Sequence, residues 1–109
     1  MPRDEVEAAY FSLLRARDEL DALRRYDDYL LAEAQRLRRG ISERDALADP
    51  IDRRLRRALR HTEQPLGDAI QDRLDVIADE RQRMPDRVAA AEAYVEECDA
   101  EYSSMSRRR

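Results

Sequence analysis

Five arginines and one histidine crowd into nine residues of this chain: Arg53, Arg54, Arg56, Arg57, Arg60 and His61. Guanidinium groups present planar forks of donors that match carboxylates and phosphates, so such a cluster suits recognition of an anion. Between Pro50 and His61 only Asp52 opposes them, a local balance of +4, whereas from Thr62 to Ser106 the balance is −8. The chain is thus electrically two-ended, although its net charge is only −4. An acidic segment of a protein partner fits the cluster best. Nucleic acid ranks below it, because the acidic stretch that follows would repel a long polyanion and no aromatic residue interleaves the arginines for base stacking. A solvated cap whose arginines pair with nearby acids is the purely structural reading of the same residues.

The remaining chemistry is sparse. His61 is the one histidine, which excludes Glu-x-x-His di-metal pairs, multi-imidazole zinc sites and two-histidine mechanisms. The one cysteine, Cys98, can form no intramolecular disulfide and no multi-cysteine metal site. It falls on an apolar helical period with Ala91, Val95 and Tyr102, where a thiol acts as a small hydrophobe. Tyr26, Asp27, Asp28 and Tyr29 set two adjacent carboxylates between phenols. Consecutive helix positions point about 100° apart, so the two carboxylates do not converge on one cation, and a structural role outweighs cation binding. No Gly-rich phosphate loop or nucleophile elbow occurs in the sequence. The expectation is a protein that is not an enzyme, with no catalytic residue, metal or cofactor.

The elements that position these residues follow from the apolar spacing. Val6, Ala9, Leu13, Ala16, Leu20, Leu23, Asp27, Leu30, Ala34 and Leu37 succeed one another at alternating steps of three and four, the seam of a coiled coil. Glu5, Glu19 and Glu33 flank it on one side and Arg17, Arg24 and Arg38 on the other, where ion pairs between helices form. This first helix is expected over about 3–39, closed by Gly40. A second seam runs through Ile70, Leu74, Ile77, Arg81, Met84, Val88, Ala91, Val95, Cys98, Tyr102 and Met105, placing a helix over about 63–106. Its phase passes unchanged through Pro85, so a kink is expected there rather than a loop. Between the two, Asp49 and Pro50 read as a helix start. Ile51, Leu55, Ala58 and Leu59 then make the apolar stripe of a short helix over about 50–61, with one further turn in 41–48. The terminal Arg107, Arg108 and Arg109 are expected to fray.

With 109 residues, the chain is long enough for one domain. Two glycines, four prolines and 42% charged residues suit solvated helices and not a sheet fold. The expected fold class is all-α: an antiparallel helical hairpin, or coiled coil, of two long helices joined by the short amphipathic Arg-rich helix. Helix ends set the register, with Val6 near Tyr102 and Leu37 near Leu74 or Ile70. Asp27 and Arg81, the only charges in the seams, then come within about a turn of each other and are expected to neutralise one another. Tyr10, Phe11, Leu14, Tyr26, Tyr29 and Leu31 fall outside the first seam, more apolar surface than a two-helix hairpin covers. A homodimer forming a four-helix-type bundle is the expected result. All 21 basic residues are arginine. No apolar run approaches the roughly 20 residues that span a bilayer, and the N-terminus lacks a signal-peptide order, so a cytoplasmic protein without membrane association is expected. Together these features point to a non-enzymatic interaction module of regulatory or adaptor type.

Overall fold

The structure, a computed structural model, describes residues 3–48 and 53–108, with the side chains of 44–48, 53, 55, 56 and 58–63 outside that description. The described residues are all-helical: α1 spans Arg3–Ala48 and α2 spans Arg53–Arg107, and the two helices pack against each other. On α1 the positions at three-four spacing are the inward ones. Val6, Ala9, Leu13, Ala16, Leu20, Leu30 and Ala34 are buried, and Leu23, Asp27 and Leu37 are half-buried. On α2, Ile77, Met84 and Cys98 are buried and the other eight seam positions are half-buried. Each fully buried leucine, isoleucine or methionine contributes about 1.5–3 kcal/mol over leaving it in water, and that term, not helix propensity, holds such long helices together.

The helices divide into two compact units, residues up to Asp27 with those from Arg83 onward, and Asp28–Gln82. In the first, Leu13, Ala16 and Cys98 form a buried cluster against which Val95 and Tyr102 pack. The Tyr10 and Tyr102 rings stack with centroids 5.4 Å apart and planes 48° from parallel. Arg24 Nη2 donates to Glu92 Oε1 at 2.9 Å, and Arg17 Nη2 lies 3.8 Å from Asp99 Oδ1. Seven residues forward on α1 thus correspond to seven back on α2, so the helices of this unit run antiparallel. All four residues directly follow an apolar seam position, and like-with-like pairing of these flanks belongs to antiparallel coiled coils. Val6 and Tyr102 line one open depression with Tyr10 and Phe11, the proximity expected from the helix ends. In the second unit, Leu30, Ala34 and Ile77 are buried and a fork joins the flanks: Arg73 Nε donates to Glu33 Oε1 at 2.8 Å and Arg73 Nη2 to Glu33 Oε2 at 2.9 Å.

Three boundaries differ from expectation. The first helix does not close at Gly40 but continues to Ala48, absorbing the separate turn expected in 41–48. No glycine has a positive φ, so Gly40 does not take the left-handed conformation that ends a helix. A helical glycine costs about 1 kcal/mol relative to alanine, too little to stop a helix whose next residue, the half-buried Ile41, extends the seam. Nor does a short helix over 50–61 stand apart from the helix over 63–106. From Arg53 onward, α2 runs unbroken through Thr62 and Pro65, past the start expected at about 63. Proline removes one donor and crowds one carbonyl, a local penalty that a 55-residue helix spans. The expected start at Asp49 and Pro50 lies outside the described residues. At Pro85 the helix is likewise unbroken.

Candidate functional site

The arginine-rich cluster occupies the opening turns of α2, with Arg53, Arg54, Arg56, Arg57, Arg60 and His61 all on helical backbone. Arg54 and Arg57 are exposed, and the side chains of Arg53, Arg56, Arg60 and His61 lie outside the described residues. A helix carries partial positive charge at its N-terminus and partial negative charge at its C-terminus, and each well-placed opposite charge contributes about 0.3–1 kcal/mol. The two ends away from residues 49–52 obey this: Asp4 and Glu5 open α1, and Arg107 closes α2. The two ends flanking residues 49–52 violate it. The last turn of α1 has no basic residue and contains Asp45, while the first turn of α2 has no acid and contains Arg53, Arg54 and Arg56. The helix dipole and the guanidinium forks both favour an anion at the start of α2.

The other singled-out residues fall elsewhere. Asp27 ends the first unit and Arg81 belongs to the second, each half-buried at its seam position. Asp28, Tyr26 and Tyr29 are exposed beside the half-buried Asp27, so the four residues do not share one face. Among the described residues no group of histidine, cysteine and carboxylates is arranged to hold a metal ion, and no helix is long and apolar enough to cross a membrane. Cys98 is buried at 6% exposure, in the place its spacing assigns. Its side chain hydrogen-bonds Tyr94, which holds the phenol above its ordinary pKa, with Glu19 and Glu97 adding in the same direction.

The sequence marks Glu33 as an ion-pairing flank but does not name its partner. The signal for the partner was position: Arg73 precedes the seam residue Leu74 just as Glu33 precedes Ala34, and only a known helix orientation turns that match into a pair. The bidentate bond to Arg73 holds the Glu33 carboxyl below its usual range. A carboxyl whose pKa is lowered by folding adds stability above its unfolded pKa, and that increment disappears as pH falls through the folded value. Glu33→Gln should therefore narrow the gap between urea midpoints at pH 7 and pH 3 while leaving the acid midpoint in place. An unchanged gap would mean that the pair is fully screened.

No family model matches the chain, and no curated protein or solved structure matches it either.

Proposed function

We propose that this chain is a non-enzymatic interaction module of regulatory or adaptor type, which self-associates and offers the arginine-rich opening of α2 to an acidic partner. The carrying observation is the pair of helix ends charged against their dipoles. Arg53, Arg54 and Arg56 weaken the helix they begin. An acidic ligand recovers that loss through charge-assisted bonds to the guanidinium groups. Self-association follows from the apolar side chains left outside: Phe11 is 60% exposed, Tyr29 55% and Tyr94 50%. The seams themselves are taken up within the chain, so a second copy must use the outer surface.

Fluorescence anisotropy with a labelled oligoglutamate peptide tests the acidic-partner reading. Wild-type protein should bind it at low salt. Replacing Arg53, Arg56, Arg57 and Arg60 by Gln should weaken binding about tenfold or more, the loss expected when several charge-assisted bonds go together. Equal binding by both proteins would reject the role of this helix. A duplex DNA probe at 50 mM salt provides the contrast: retention tighter than the peptide's would replace the acidic protein segment with nucleic acid.

A further inference from the structure

Within the unit Asp28–Gln82, helix α2 opens basic and turns acidic along one outer face. Positions seven apart share a column of a helix, with a drift of about 20° per heptad that slight supercoiling absorbs. One column holds Arg54, His61, Asp68 and Asp75, basic then acidic in mirror order. The next, opposite the seam, holds Ala58, Pro65 and Asp72, and beyond it Leu55, Thr62, Ala69 and Val76 make a largely apolar column. We propose that this face is the docking surface for a second copy of the chain, laid antiparallel about a two-fold axis at Pro65. Such an axis sets each column against the same column reversed, and every pair occurs twice. On one flank Arg54 therefore meets Asp75 of the second copy, and His61 meets Asp68. On the other Leu55 meets Val76, and Thr62 meets Ala69. Arg54, Asp68, Asp72 and Asp75 are exposed, and Val76 is 48% exposed, a large apolar side chain that the second copy covers.

The occupant is a second copy because the acids that answer Arg54 and His61 stand in the same column of the same helix, in reverse order. The pattern also selects its register. Sliding one copy by a heptad in one direction sets Asp68 against Asp68 of its mate, and in the other carries Asp75 past the first residue of the mate's α2. A parallel arrangement sets every charge of the column against itself. Flanking charges select partner and orientation in the same way in coiled coils. Gln71 Nε2 donates to Asp75 Oδ1 at 3.0 Å, which steadies that carboxylate and leaves its second oxygen for Arg54 of the second copy. Asp75 of the mate then lies beside the positive end of the α2 dipole, where a negative charge is favoured. The inference rests on the proposed role of the arginine-rich opening and names its acidic partner: the acidic turns that follow the same opening in another copy.

Sedimentation equilibrium on the full chain at about 100 µM and below reads the result. Wild type should pass from its 12.8 kDa monomer to twice that mass as concentration rises. Arg54→Asp, or Asp75→Arg, should raise the dimer Kd about tenfold or more, since each reversal sets like charges together twice. The double variant R54D/D75R has the net charge of wild type and should restore its Kd. Arg39→Asp, an exposed reversal on α1 with the same change in net charge as Arg54→Asp, should leave Kd within about twofold. Unchanged circular dichroism at low concentration would show that each variant folds. A strict monomer at the highest concentration overturns both this face and self-association. A dimer indifferent to the single reversals, or one that the double variant does not restore, overturns this face and leaves self-association standing. The oligoglutamate titration separates the two readings of the opening. A chain that binds the peptide through its arginines but fails these tests keeps an acid-binding opening and loses the second copy as its occupant, and a chain that fails both loses the acidic-partner reading as well.

Discussion

Replacing Pro85 by alanine is expected to raise the stability of the folded chain by about 2 kcal/mol, with an increase in Tm of about 10 °C. Pro85 is exposed, within an unbroken stretch of α2. It cannot donate to the carbonyl of Arg81, and its ring crowds that carbonyl, together worth about 3 kcal/mol against alanine in a helix interior. Part of that difference is offset because proline also restricts the unfolded chain, by about 0.4–1 kcal/mol. The remainder converts to temperature at about 4–8 °C per kcal/mol for a domain of this size. Alanine gives up almost no packing, since Pro85 lies beside the seam and not in it. Thermal unfolding followed at 222 nm decides the matter. A Tm equal to or below that of wild type would mean that the proline sets a bend on which the pairing of α2 with α1 relies.

The opposite result is expected eight residues earlier. Ile77→Ala removes one of the largest fully buried side chains, 2% exposed, and should cost about 3 kcal/mol from lost transfer energy together with the cavity left behind. Tm should fall by about 10–20 °C. Val76→Ala is the control on the same helix: Val76 is 48% exposed, and alanine is the better helix former, so stability should change by no more than about 0.5 kcal/mol. Similar losses at both positions in urea titrations would contradict the assignment of the seam.

The seams were legible in the sequence because a coiled coil writes its contacts as a period. Leu13 and Cys98 share a buried cluster, and both sit on the three-four alternation read without coordinates. The helix ends were less legible. Gly40 is a local signal for stopping and Pro65 a residue that suits a first turn, but each acts through about 1–3 kcal/mol, while a long amphipathic helix draws on packing along its whole length. Local chemistry loses where the neighbouring turns are already held. The flank pairs were half legible: Arg17 and Arg24 were marked as ion-pairing positions, but Asp99 and Glu92 could be matched to them only once the helices were known to run antiparallel. The arginine cluster was visible as composition. Its position at the positive end of a helix dipole became visible only with the boundary at Arg53.

Each described bridge from one helix to the other rests on a guanidinium, from Arg17, Arg24 or Arg73. In a bundle latched by lysine the cations discharge near pH 10.4, and the latches open as base is added. Guanidinium stays protonated beyond that range. Alkali therefore leaves these bridges charged, and the Tyr94 phenol stays protonated longer than that of an isolated tyrosine.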